Sequence, residues 1–167
     1  KRKSIGVLVK IKLVGTSDNV VLIDIVYVHR VDLIPNLVVD LLVLDILSKM
    51  KGEVVGGNIS VLYSLLGSDI FPDVEGKVLF LEDLDEYLYH IDRMMMAFQR
   101  AGIFDKIGGL IIGGLTKMHD NAIPFGMTAE EIISEKTKDK NIPTVFNFPA
   151  GHINDNRAII LGRSICN

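Results

Sequence analysis

Val78-Leu79-Phe80-Leu81-Glu82-Asp83-Leu84-Asp85-Glu86 runs from four consecutive apolar residues into an acidic turn, after which Tyr87 to Arg100 leads to Gly102. An unbroken apolar run of this length suits a strand buried on both faces of a parallel sheet. The acids then fall at the strand's carboxyl end, where open α/β sheets place their chemistry. From Leu88 the apolar residues Ile91, Met95 and Phe98 recur at three- and four-residue spacing, which predicts a helix that Gly102 terminates. A carboxylate at a strand-to-helix junction is therefore the first functional candidate.

Downstream of this unit the same alternation continues. Asp105 to Ile112 reads as a strand ending at Gly113-Gly114, with no lysine-serine or Gly-x-Gly-x-x-Gly pattern to make the glycines a phosphate cradle, so close packing is their expected role. Lys117 to Met127 reads as a loop. Thr128-Ala129-Glu130-Glu131 fits a capping box, opening a helix expected to reach about Lys138. Thr144 to Phe148 is expected to be the next strand, with Pro149-Ala150-Gly151-His152 at its carboxyl end. Strands alternating with capped helices predict an α/β fold, a mainly parallel sheet with flanking helices.

Upstream the pattern is less decisive. Ser4 to Val9 and Lys10 to Val14 read as short strands, followed by Gly15-Thr16-Ser17-Asp18-Asn19. A glycine two residues before a serine suits a sharp strand-to-helix elbow, which favours a helix over Val20 to Val28, although an ordinary turn or cap accounts for the same residues. Asn19 stands where the usual elbow has its second glycine. Asp32 to Met50 is apolar with spaced acids. Lys51 to Asn58 reads as a strand and Ile59 to Leu66 as one or two helical turns. A boundary is expected near Ser48 to Lys51, dividing residues 1–48 from residues 49–167.

Composition removes several functional classes. The chain has 167 residues, 49% of them hydrophobic, with a mean hydropathy of +0.35. Its richest window, Leu33 to Leu47, contains Pro35, Asn36, Asp40 and Asp45, which a membrane span does not tolerate cheaply. Lys1-Arg2-Lys3 is basic, but Lys10 and Lys12 break the apolar run after it, so no signal peptide is read there. A net charge of -3 and a pI near 5.8 argue against a nucleic-acid surface. The single cysteine, Cys166, fits a reducing compartment.

Of the four histidines, His29, His90, His119 and His152, none pairs with another at zinc-site spacing, and no metal site is expected. His152 stands apart because it follows Gly151 at a strand end. With Ser17 and Glu82 at two other strand ends it could form a relay, His152 taking the proton of Ser17 while Glu82 holds the ring tautomer. Packing and capping roles for the same three residues are the competing reading.

Further matches bear on that choice. Gly56-Gly57-Asn58, Gly76-Lys77-Val78-Leu79-Phe80-Leu81-Glu82-Asp83, Tyr89-His90-Ile91-Asp92-Arg93-Met94, Ala101-Gly102, Ile142-Pro143 and Gly151-His152, with Asn156 and Gly162, resemble the LD-carboxypeptidases. These are serine peptidases that include the microcin C immunity proteins. The resemblance covers about Gly52 to Arg163, the family's carboxyl-terminal domain, and Ile160 stands where the family often has proline. It implies a triad completed by Glu82 and His152, a nucleophile Ser17 in Gly15-Thr16-Ser17-Asp18, and an oxyanion donor in the Asp18 amide. It further implies a cytoplasmic homodimer without metal or cofactor, acting on a muropeptide to remove the terminal D-alanine of a murein tetrapeptide. A peptidyl-nucleotide amide is the alternative substrate, and a non-catalytic muropeptide-binding or assembly module is the rival class. In the amino-terminal half the nucleophile motif follows the opening strand, Lys3-Ser4-Ile5-Gly6-Val7, almost at once. Residues 1–48 are accordingly expected to be a partial α/β nucleophile-bearing domain, either abbreviated in a degenerate family member or, as the favoured reading, lacking segments of a longer protein.

Overall fold

The computed structural model describes residues 11–17, 20–25 and 46–165. The expected strand Ser4 to Val9, Asp18, and most of Asp32 to Met50 lie outside the described residues. Among the described residues seven strands form one sheet: β1 (Ile11–Ser17), β2 (Val20–Ile25), β3 (Gly52–Asn58), β4 (Val78–Leu84), β5 (Gly109–Thr116), β6 (Thr144–Val145) and β7 (Ser164–Ile165). The helices are α1 (Ile59–Leu65), α2 (Leu88–Arg100), α3 (Ile103–Lys106) and α4 (Ala129–Thr137), and residues 46–49 are also helical.

The sheet order is β1-β2-β6-β5-β4-β3-β7. From β2 to β3 all neighbours are parallel, and the antiparallel strands β1 and β7 form its two edges. β4 and β5 lie centrally, with six consecutive residues buried in each. The period of two explains the unbroken apolar run. Leu79, Leu81, Leu110 and Ile112 join the core under α1, α2 and α4. Val78, Phe80 and Ile111 face the opposite way, onto Ile46, Met50, Val54, Val145 and Ala150.

Helix α2 buries Ile91, Met94, Met95 and Phe98 and ends at Gly102, whose amide donates to the Gln99 carbonyl at 3.0 Å. Thr128 and Glu131 form the reciprocal capping box that opens α4. Three expectations are corrected. Val20 to Ile25 is a strand, paired with β1 in a hairpin and with β6, because its β-branched residues fit a sheet as well as a buried helix. β5 runs through Gly113-Gly114 to Thr116. β6 is two residues long because the chain leaves the sheet to cross those glycines. Among the described residues no helix is long and apolar enough to cross a membrane.

Candidate active site

Glu82 continues the Val78–Phe80 face of β4 and is 6% exposed, so its carboxylate is held almost out of water at the strand's carboxyl end. Opposite it the ladder is irregular. Leu81 pairs with Ile112 and Asp83 with Leu115, so Glu82 faces both Gly113 and Gly114. Bulges of this kind re-aim side chains near sites.

The two glycines also let the next segment lie flat on β5. A Cβ at Gly113 would come within 2.5 Å of the Ala150 oxygen, and one at Gly114 within 2.3 Å of Ile153 Cγ2. Instead the Gly114 amide donates to the Ala150 carbonyl at 2.9 Å. This brings Gly151, at φ +104°, against the Glu82 side chain, where a Cβ would stand 2.9 Å from Oε2 and 3.0 Å from Cγ. Only glycine meets both requirements easily. The next residue, His152, places Nδ1 2.6 Å from Glu82 Oε2.

A carboxylate offers only acceptors, so Nδ1 carries the proton and donates, and in the neutral ring Nε2 is then the nitrogen with the lone pair. The His152 side chain is 53% exposed and that of Glu82 7%. A buried anion thus fixes the tautomer of an accessible imidazole, the arrangement that a histidine base requires.

Asp83 points to the other face and is 1% exposed. It accepts from Asn58 Nδ2 at 2.7 Å, from the Ser60 amide at 3.1 Å and from the Leu84 amide at 2.8 Å. Burial pushes its carboxyl above the usual range, and these donors pull it back in part. Asp83 therefore caps α1, the helix after β3, and not the helix that follows it in sequence. Asn58, level with Glu82 across the β3–β4 ladder, is held at both ends, its Oδ1 accepting from the Val61 amide at 3.1 Å and from Ser60 Oγ at 2.7 Å.

Ser17 is not brought to this pair. It closes β1 opposite Val20, which is level with Thr144 at the start of β6. Leu110 and Leu79 continue the same level across β5 and β4. Glu82 lies three residues further along β4, and β1 is four strands away. At about 3.3 Å per residue and about 4.8 Å per strand, Ser17 and Glu82 are roughly 20 Å apart. The strand-to-helix elbow is replaced by a strand-to-strand hairpin, at the amino edge of the parallel strands. Asp18 lies outside the described residues.

The remaining described histidines serve the β4–α2 turn. His90 Nδ1 is 2.8 Å from Glu86 Oε2, and His119 Nε2 is 2.6 Å from Asp85 Oδ1. No group of three metal-ligating side chains occurs among the described residues. Sequence reasoning gave no role to Thr116, whose hydroxyl donates to the His152 carbonyl at 2.8 Å, nor to Asn156, whose Oδ1 accepts from the Gly151 amide at 3.1 Å. Asn156 stood among the matched positions. Thr116 carried no signal, because its partner is a backbone atom distant in sequence.

Known proteins resemble this chain in sequence and fold. The LD-carboxypeptidase C-terminal domain profile matches residues 51–166. The Bacillus subtilis "Probable murein peptide carboxypeptidase" is 32% identical over 118 residues, 68% of this chain and 36% of that protein. The Escherichia coli microcin C7 self-immunity protein is 28% identical over 117 residues, 68% of this chain and 33% of that protein. Among solved structures, muramoyltetrapeptide carboxypeptidase from Oxalobacter formigenes superposes with a TM-score of 0.62 at 28% identity, covering 69% of this chain and 40% of that one. The chain thus spans little more than a third of the length of these relatives. Glu82 and His152, joined across β4 and the segment after β6, both lie inside the matched residues, and the chain belongs to the LD-carboxypeptidase family through that family's carboxyl-terminal domain.

Proposed function

We propose that the chain carries the acid–base half of a serine carboxypeptidase centre. The observation behind this reading is the 2.6 Å contact between buried Glu82 and accessible His152. His152 Nε2 takes the proton of a serine hydroxyl as its oxygen bonds to the substrate acyl carbon. The same proton then passes to the leaving amine, and water hydrolyses the acyl-enzyme with His152 again as base. Glu82 stays a carboxylate and stabilises the imidazolium.

The proposed nucleophile is Ser17, on the strength of Gly15-Thr16-Ser17-Asp18, with the Asp18 amide as oxyanion donor. This assignment requires the β1–β2 hairpin to reach the carboxyl edge of the sheet, away from its described place. Residues 1–48 are the proposed nucleophile-bearing unit and residues 49–167 the unit bearing the base.

The proposed reaction removes the terminal D-alanine of a murein tetrapeptide, in the cytoplasm and by a homodimer. The names of the Bacillus subtilis and Oxalobacter formigenes relatives support this substrate. A second substrate class, the peptidyl-nucleotide amide, is supported by solved complexes of a microcin C7 self-immunity protein with glutamyl sulfamoyl guanosine and aspartyl sulfamoyl adenosine.

Release of D-alanine from muramoyl tetrapeptide, assayed beside cleavage of an aminoacyl sulfamoyl nucleoside, separates the two. His152→Ala is expected to lower turnover of the true substrate by roughly 10³-fold or more. Binding of tetrapeptide without turnover, and no labelling by a serine-directed phosphonate, would instead identify a binding module.

A further inference from the structure

We propose that Thr116 is a positioning residue for His152, a role that rests on the reading of His152 as the base. The imidazole is more than half exposed, so packing alone does not hold it. Its orientation depends on the Glu82 contact and on the path of the segment that carries it.

That segment has no regular secondary structure and is fixed by single bonds. The Phe148 amide donates to the Ile112 carbonyl at 2.9 Å, the Gly114 amide to the Ala150 carbonyl at 2.9 Å, and the Gly151 amide to Asn156 Oδ1 at 3.1 Å. The contact to the backbone of His152 itself comes from Thr116 Oγ1, at 2.8 Å. Thr116 is well placed to serve as a reference point. It ends β5, pairs with Leu84 of β4, and its carbonyl accepts from the Asp85 amide at 2.9 Å. One residue therefore ties the His152 backbone to the strand that presents Glu82.

Losing the hydroxyl cuts the tie from β5 to the His152–Ile153 peptide. It leaves that peptide the local bond from the Ile153 amide to the Gly151 carbonyl at 3.0 Å, which does not reach the sheet. The segment then shifts against β4, and the ring's line to Glu82 Oε2 shifts with it. Misplacement of a reacting group by about 1 Å can cost on the order of 10²-fold in rate. Thr116→Val keeps the β-branched shape that suits a strand and deletes the donor, whereas Thr116→Ser keeps the donor.

The test uses the full chain with two readouts. In the proton spectrum, the downfield His152 Nδ1–H resonance, identified by its loss in His152→Ala, reports the Glu82 contact whether or not the protein is active. It should be lost or broadened by solvent exchange in Thr116→Val and retained in Thr116→Ser. With muramoyl tetrapeptide as substrate, kcat in Thr116→Val should fall by roughly tenfold or more with KM within about twofold, and Thr116→Ser should restore it. Thr116→Ala carries the same expectations should the valine variant fail to fold. A Thr116→Val or Thr116→Ala protein that folds and keeps the resonance unchanged overturns the proposal. A wild-type chain that shows the resonance but no turnover refutes the proposed function, and the resonance still decides the role of Thr116.

Discussion

At the residue scale Gly151 is the glycine that abuts the Glu82 carboxylate itself. Its φ of +104° is costly for any side chain, and a Cβ there would come within 2.9 Å of Glu82 Oε2. Gly151→Ala is therefore expected to cost about 1–3 kcal/mol through backbone strain and to push the Glu82 carboxylate off the imidazole. Thermal melting checks the first effect. Loss of the Nδ1–H resonance in protein that remains folded checks the second, and an unaltered resonance would show that the segment absorbs the methyl group elsewhere. The need for glycine here was visible in the pair Gly151-His152, whereas its cause was not. The cause is a side chain from another strand, and neither periodicity nor composition reports a contact of that kind.

At the scale of elements, the units that were legible are those whose environment repeats. The four apolar residues from Val78 identified a strand buried on both faces, and the helical spacing from Leu88 identified the buried face of α2. Features set by pairing were not legible. The bulge opposite Glu82, the short β6 and the edge strand β7 all depend on which strands meet, and the local sequence carries no record of that. Packing of α2 on α4 offers a test. Lys136 Nζ lies 2.8 Å from Asp92 Oδ1 with the lysine side chain 11% exposed, and this bond raises the lysine's pKa above its ordinary 10.5. A raised lysine pKa stabilises the fold fully below the unfolded value and loses that contribution as pH climbs through the folded one. Asp92→Asn should thus lower stability by about 0.5–1 kcal/mol at neutral pH. In denaturant titrations across pH, the gap between variant and wild type should close above about pH 10.5; a gap independent of pH would assign the loss to packing.

At the scale of the whole molecule, one sheet organises both faces of the core, and its parallel strands carry Glu82 and His152 to a common edge. The direction of β1 was the feature that the sequence could not supply. A short apolar run reads the same whether its strand runs parallel or antiparallel, and a Gly-x-Ser-Asp turn can close a hairpin as readily as it opens a helix. The described register places Ser17 at the far edge, roughly 20 Å from Glu82. Paired cysteines measure this directly, since a disulfide needs Cα atoms within about 7 Å. In a Cys166→Ser background, the double variant Ser17→Cys with His152→Cys should stay reduced under mild oxidation if the hairpin keeps its described place. Rapid formation of an internal crosslink, shown by an intact mass lower by two hydrogens in the monomer, would mean that the hairpin reaches the carboxyl edge. That result would place the proposed nucleophile beside its base and rule out the β2–β6 pairing described here.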